Sequence, residues 1–367
     1  MDDLVVLFDV DKRKVFDAYN AYKGNKHNIV LYTTKVLRFH SLLERAYNRE
    51  IKYCREDVIL QTIAKLSETY KKKRVIIFPT EEHTIKLIEQ QDNFAHDLTT
   101  FDYEKVKTFE DKFEFYKYCT RMGYSVAQTQ IASSYDISKL SPETKKLIAK
   151  PRIGAGMVGH VVVESNNTEI DFRSSDYADF IVQEFLDIEK VYGYFCFRNS
   201  SGFTKDFCHE RVITHTSVGG VSLVAVSKLE PKVLSLGRKF VSESDFVGLI
   251  MLEIAQLRNG NWVFIEANPR LWGSNLLTLS TGVDVINSYH NVVCNTAIDK
   301  SDDFEESEIW WLFGILIRPS SWLRVIRHLL FRKRRQVLLI NIHGTDLIRS
   351  VSFNFFLAIT RFLQRND

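Results

Sequence analysis

Glu253, Glu266 and Asn268 lie on two apolar runs, residues 246–257 and 262–269, joined by Asn259-Gly260, a dipeptide that signals a tight hairpin. With Asn259 and Gly260 as the two central residues of the turn, Glu253 falls directly across the hairpin from Glu266. Asn268 then shares the face of Glu266, because side chains alternate along a strand. Like charges set opposite each other destabilise an antiparallel pair, so the arrangement asks for an offsetting cation. Three hard oxygen donors suit Mg²⁺, above all where phosphate oxygens complete the coordination. The competing reading is a solvated strand face, since opposed carboxylates cost little in water.

A second group could face the first. Lys150 stands immediately before a loop carrying Gly154, Gly156 and Gly159. Glycine lets backbone N–H groups come close to phosphate oxygens, and the lysine adds a positive charge. The loop joins two apolar runs, 147–150 and 160–163, that read as antiparallel strands, and it lacks the Gly-Lys-Ser/Thr ending of a Walker loop. Taken alone it is equally a plain flexible hairpin. Arg211 and Arg270 offer planar forks matched to carboxylate and phosphate groups. His209 has no cysteine or histidine at metal-ligand spacing, and Ser274 lacks the Gly-x-Ser-x-Gly surround of a hydrolase nucleophile.

These residues need elements to hold them. The first hundred residues alternate short apolar runs (4–8, 28–32, 74–78) with helical patterns (12–22, 56–72, 81–91), which predicts a parallel sheet with crossover helices. No Gly-x-Gly-x-x-Gly follows the first run, so a dinucleotide fingerprint is absent. Thr108 as N-cap, with Asp111 three residues on, predicts an amphipathic helix ending at Gly123. Ser141-Pro142 predicts the start of a short helix. Strands are expected at 180–186, 192–197 and 205–214, then a helix near 233–240 after Pro231, the hairpin, and a helical pattern from Asp284 to about Thr296.

At 367 residues, 45% hydrophobic and 26% charged, the chain has room for two or three globular domains. Its five cysteines (Cys54, Cys119, Cys196, Cys208, Cys294) are odd in number and contain no Cys-x-x-Cys pair, which argues against disulfides and structural zinc. The opening apolar run is too short and wrongly flanked for a signal peptide, so the expected location is cytoplasmic.

Taken in chain order, Asp111-Lys112, Lys150 with its glycine loop, Gln183-Glu184-Phe185-Leu186, His209-Glu210-Arg211, Glu253 and Glu266-Ala267-Asn268-Pro269-Arg270 form a series, followed by Trp272-Gly273-Ser274 and Gly282-Val283-Asp284. The series resembles the ATP-grasp superfamily, specifically its carboxylate-amine ligases, over roughly residues 108–295. The resemblance implies a fold of α/β and α+β class. Its parts would be an N-terminal parallel α/β domain (1–107), a small subdomain with the glycine-rich loop (108–190), a large subdomain with the metal site (191–300) and a basic, aromatic C-terminal segment (301–367). The small and large α+β subdomains would clasp ATP.

The resemblance also implies roles. Lys112 and Lys150 would hold phosphates, with Gly154, Gly156 and Gly159 closing over them. The backbone at Glu184, Phe185 and Leu186 would read adenine, and Glu189 the ribose hydroxyls. Glu253, Glu266 and Asn268 would coordinate two Mg²⁺, or Mn²⁺ in their place. Arg211 and Arg270 would hold the substrate carboxylate and then its acyl phosphate, while Ser217, Gly219, Gly220 and Asn275 would line the substrate site. The implied activity is ATP-dependent amide formation between a carboxylate and an amine, with release of ADP and phosphate. Phosphoryl transfer asks mainly for charge neutralisation and positioning, which metals and cationic side chains provide. The alternatives are a non-catalytic ATP-binding or membrane-surface module of the same fold, and a ligase acting on a polysaccharide- or lipid-linked carboxylate.

Residues 318–367 hold ten Lys or Arg against Asp346 and Asp367, a net of +8 that leaves −5 for the rest of a chain whose total is +3. Trp322, Phe331, Phe353, Phe355, Phe356 and Phe362 interleave with these cations, after Trp310 and Trp311. Two readings stand: a docked C-terminal subdomain with its aromatics turned inward, or peripheral contact with the inner face of a membrane. No run nearby approaches the roughly 20 apolar residues of a spanning helix. No nucleic-acid partner is expected, since no recognised binding motif is present.

Overall fold

β1 (Leu4–Leu7) is buried at every position, as a strand covered on both faces must be. It pairs in parallel with β2 (Ile29–Thr33) and β4 (Val75–Ile77), and β2 pairs in parallel with the short β3 (Lys52–Tyr53). The order is β3-β2-β1-β4, with helices Arg13–Ala21, His40–Tyr47 and Ile59–Thr69 among the strands. The predicted parallel α/β unit is present, and β3 and the helix His40–Tyr47 add to what the sequence pattern shows. The computed structural model describes residues 4–22, 28–69, 75–78, 80, 102–139, 144–154, 159–165, 170–202, 204–216, 219–293, 304–332, 336–340 and 347–363. The predicted helix at 81–91, the helix start at Ser141-Pro142, Gly156, Ser217 and the stretch from 294 to Thr296 lie outside the described residues.

Two further sheets follow. The smaller has the order β5 (Thr129–Ile131), β8 (Phe180–Glu184), β6 (Lys146–Pro151), β7 (Val161–Glu164), antiparallel throughout. It closes around its own cluster of Ala132, Leu147, Ala149, Phe172 and Val182. The larger places β13 (Trp262–Asn268) at one edge, then β12 (Gly248–Leu257), β9 (Ile188–Arg198), β10 (Thr204–Thr216), β11 (Gly219–Ser227), β14 (Ser307–Trp311) and β15 (Gln336–Ile340). Its core is continuous with that of the parallel sheet, for Val5, Leu7 and Phe78 join Phe195, Phe197, Tyr289 and Ile309 in one cluster. The small sheet is thus a separately packed lobe set against a larger body.

Thr108 does not begin a helix. It lies inside Tyr103–Glu110, where its hydroxyl donates to the Glu104 carbonyl, and Asp102 caps that helix by accepting from the Lys105 N–H. Asp111, in extended backbone, breaks the pattern and caps the next helix, Lys112–Arg121, accepting from the N–H groups of Phe113 and Glu114. Phe115 of that helix, Tyr124 and Phe240 all pack on Phe264 of β13, with ring centroids 6.5, 5.2 and 5.5 Å away. This aromatic cluster fixes the helix that starts at Lys112 against the strand that carries Glu266.

The C-terminal segment belongs to the fold. β14 pairs with β11 and β15 with β14, while helix Leu347–Leu363 lies on helix His40–Tyr47 with Phe353 stacked on Phe16 at 4.2 Å. Trp310, Phe353 and Phe356 are buried, and Trp322, Phe331 and Phe355 are exposed. Among the described residues no helix is long and apolar enough to cross a membrane.

Gly237, inside helix Pro231–Glu243, lies against the Tyr194 ring, and a Cβ there would overlap it. Alanine gains about 1 kcal/mol of helix propensity but must displace an enclosed aromatic. Gly237→Ala is therefore expected to lower stability by about 1–3 kcal/mol, seen as a lower urea midpoint at unchanged m-value. An equal or higher midpoint would contradict this packing.

Candidate active site

The acids come together by a route the sequence does not display. At the turn, the Leu257 N–H donates to Asn261 O (2.8 Å) and the Gly260 N–H to Leu257 O (2.9 Å). The loop is therefore Arg258-Asn259-Gly260, three residues with Gly260 left-handed at φ +84°, and not the expected two-residue turn. Carried on unchanged, that register would set Glu253 across from Ile265. The pairing shifts between Ile254 and Glu253, leaving Ile265 as an extra residue in β13, so that Glu253 meets Glu266 and Met251 meets Asn268. The predicted opposition of the acids holds because the bulge cancels the longer loop.

Glu253 is 8% exposed and Glu266 half-buried. Arg211 of β10 reaches across β9 to fork Glu253, Nη1 to Oε1 at 2.9 Å and Nη2 to Oε2 at 2.6 Å. The β9 residue paired with both Glu253 and His209 is Gly193, whose Cβ would crowd His209 and Phe195. Burial raises the Glu253 carboxyl, with the Glu266 charge adding to the rise and Arg211 opposing it. For Glu266 burial also pushes upward, but Lys112, Lys150 and the Asn268 amide outweigh it and leave the group lowered. Arg211 is thus the main cation on Glu253, and Lys112 with Lys150 on Glu266. Lys150, 5% exposed, is pushed down to about 8 by burial, against the pull of Glu266 and Glu253.

Lys112 joins the glycine loop to this cluster. Its Nζ donates to Gly154 O at 2.8 Å, while its N-cap Asp111 pairs with Arg152 at 2.6 Å. Gly154 and Gly159 have φ of +132° and +75°, conformations that require glycine. β6 and β7 flank the loop as an antiparallel pair, as predicted. His160, unremarked in the sequence, is half-buried behind the loop within the field of Lys150, Glu266 and Lys112. Its Nδ1 has no hydrogen-bond partner among the described residues, and burial drives its pKa down to about 4, so the ring is neutral near pH 7. Its place directly after Gly159 is the only signal that could have flagged it.

The predicted adenine segment continues from β8, the strand paired with the Lys150-bearing β6. The Glu184 Oε1 accepts from the Gln128 N–H (3.2 Å) and the Phe185 N–H donates to Lys146 O (2.9 Å), so those groups are engaged within the lobe. The Leu186 N–H has no backbone partner among the described residues. Glu189 is exposed on β9, whereas its neighbour Asp187 is tied to Arg258 at 3.0 Å.

Two expected substrate contacts turn inward instead. Arg270 is buried, its Nε on Glu110 Oε1 (3.2 Å) and its Nη2 on Asn268 Oδ1 (2.6 Å), so it orients Asn268. Asn275 has no exposed surface: its Nδ2 donates to the Lys14 carbonyl at 2.9 Å, latching this loop to the parallel α/β unit. Gly219 and Gly220 close the β10–β11 hairpin, with Gly219 opposite Thr216 and Gly220 at φ +98°. His209 and Ser274 are buried, hydrogen-bonded to each other at 3.3 Å, and burial pushes the imidazole down to about 3.

The donor set fits a magnesium ion. Two carboxylates and an amide share one face of the β12–β13 hairpin, and Glu266 is only half-buried. The Asn268 Nδ2 donates to Glu266 Oε1 at 3.2 Å and its Oδ1 accepts from Arg270 Nη2 at 2.6 Å, which leaves that oxygen a second lone pair for a ligand. Among the described residues no cluster of three or more His, Cys, Asp or Glu offers a rival metal site.

Residues 109–274 match the family model of the ATP-grasp domain. No curated protein sequence matches the chain significantly. Several solved structures do. One is the ADP complex of purK, an N5-carboxyaminoimidazole ribonucleotide synthetase, at 15% identity over 98% of this chain and 97% of that one, TM-score 0.66. Another is biotin carboxylase from Campylobacter jejuni, at 14% identity over 83% and 74%, TM-score 0.64. A third is the biotin carboxylase domain of the Hydrogenobacter thermophilus 2-oxoglutarate carboxylase with MgADP and bicarbonate, at 15% identity over 84% and 74%, TM-score 0.64. At these identities the likeness is one of fold.

Removing the Arg211 fork leaves a carboxylate buried without its partner. Arg211→Ala is expected to lower stability by about 3–5 kcal/mol, and Arg211→Ala with Glu253→Gln by clearly less than the sum of the two single effects. Urea unfolding of the four proteins measures this, and strict additivity would show the pair to be uncoupled.

Proposed function

We propose, from the match of residues 109–274 to the ATP-grasp domain model, that the protein is an ATP-dependent ligase that joins a carboxylate to an amine through an acyl phosphate, releasing ADP and phosphate. The observation that carries this reading is the convergence of Glu253, Glu266 and Asn268 with Lys112 and Lys150 in one electrostatic cluster beside a glycine loop. Such a cluster suits a triphosphate, whose transfer depends on charge neutralisation and alignment.

In this reading ATP lies between the small sheet and the large one. Lys112 and Lys150 neutralise its phosphates, Gly154, Gly156 and Gly159 cover them, the backbone at 184–186 takes the adenine edge and Glu189 the ribose. Glu253, Glu266 and Asn268 hold Mg²⁺, two ions with Mn²⁺ an acceptable substitute, which when bound offsets charge on the phosphate oxygens. The substrate carboxylate attacks the γ-phosphorus, ADP leaves, and the amine then attacks the acyl carbon and expels phosphate. Arg211 stands beside the acids where the acyl phosphate develops, Arg270 positions Asn268, and Ser217, Gly219 and Gly220 border the substrate. The substrates are a small or carrier-linked carboxylate and an amine, met in the cytoplasm.

Two measurements test the reading. Purified protein supplied with MgATP and a panel of carboxylates, bicarbonate and amines should release ADP only when both acceptor types are present. Glu266→Ala should lose at least about 100-fold of that rate, and a variant that kept it would remove the metal assignment. The second concerns pH. Lys150 is charged below its pKa of about 8, so ATP affinity should be level below that pH and fall as pH rises through it, while Lys150→Arg should stay level. Calorimetric titration from about pH 6.5 to 9.5 reads this, and a level wild-type profile would count against a phosphate contact at Lys150.

A further inference from the structure

Helix Trp322–Phe331 faces the wrong way for a helix in water. Its inward side carries Val325, His328 and, just past its end, Arg332. His328 Nε2 lies 2.5 Å from Glu308 Oε1 and Arg332 Nη1 3.5 Å from Glu308 Oε2, and Glu308 is completely buried in β14. These polar contacts fix the helix, so its orientation is not free. Its outward side then presents Leu323, Leu330 and Phe331 at 81%, 72% and 80% exposure, together with Ile326 and Leu329, and Leu316 and Ile317 are exposed just before it. Scattered apolar residues are ordinary on a surface, but a continuous apolar helix face is not.

The charge around that face selects its occupant. Residues 309–332 contain no Asp or Glu and four arginines, and the sequence stays free of acid as far as Thr345. Arg324 and Arg327 have no carboxylate partner among the described residues. With His328 and Phe331 on one side and Val212 and Ile213 on the other, these two arginines line a groove of about 450 Å³. A second copy of the chain docked through the same face would bring arginines onto arginines with no acid to pair them. An anionic lipid surface meets both features at once, apolar residues entering the acyl boundary and arginines meeting headgroup phosphates. We propose that helix Trp322–Phe331 docks the protein on anionic membranes, with Arg324 and Arg327 seating a headgroup phosphate in that groove. This holds whether or not the ligase reading does.

The test is flotation of the full-length protein with vesicles of phosphatidylcholine alone, and of phosphatidylcholine with about 30% phosphatidylglycerol. Binding is expected only to the second, weakening as salt is raised. Leu323→Glu with Leu330→Glu should abolish it, and Arg324→Glu with Arg327→Glu should weaken it by at least about tenfold. Leu323, Arg327 and Leu330 are exposed and Arg324 is partly exposed, and circular dichroism confirms that each variant is folded. Sedimentation velocity of the same proteins decides the rival occupant. Absence of vesicle binding, binding indifferent to all four substitutions, or a wild-type dimer dispersed by the leucine pair without any flotation would each overturn the proposal.

Discussion

Two carboxylates placed face to face on a largely buried strand pair are the constraint around which this molecule is arranged. At a separation near ~5 Å and an effective dielectric near ~20, their repulsion is about 3 kcal/mol, a large share of the stability of an ordinary domain. Each acid therefore has cations close by. Arg211 forks Glu253 from two strands away, while Lys112, at the start of the helix packed on β13, and Lys150, from the small sheet, keep Glu266 ionised. The lobes are thus coupled by charge, while their hydrophobic clusters remain separate.

Positioning these groups takes ordinary structural devices. Asp111 ends one helix, caps the next and pairs with Arg152, so a single side chain sets where Lys112 begins and where the glycine loop departs. The aromatic packing on Phe264 holds that helix against β13. Arg270 and Glu110 then steady Asn268 from beneath. Each device is local, and together they bring residues from 112 to 268 into one cluster.

Much of this was legible in the residues. The alternation of the first hundred positions announces the parallel sheet, and the glycines around Lys150 mark a loop between antiparallel strands. The hairpin is more instructive. Asn-Gly signals a tight turn but not whether it holds two residues or three, and nothing about Ile265 distinguishes a bulge from its apolar neighbours, so the correct pairing came from two miscounts that cancel. Arg270 and Asn275 read as substrate contacts because an arginine after a proline and an asparagine after a serine carry no sign of direction. Their partners, Glu110 and the Lys14 carbonyl, lie far away in the chain. The tail's composition admitted either docking or a membrane, and only the fold could show β14 and β15 completing the large sheet.

Glu308 gives the end of the chain a further significance. Its carboxylate is sealed inside the protein and met there by groups that follow it in sequence, His328 and Arg332, with the Trp310 indole donating at 2.7 Å. Deletion series that stop short of Arg332 would strand that acid in the sheet interior, where an uncompensated charge is severely unfavourable. Shortened recombinant forms would then precipitate for a reason unrelated to any binding role of the segment removed. Trimming this protein for crystallisation is safer from the far side of Arg332.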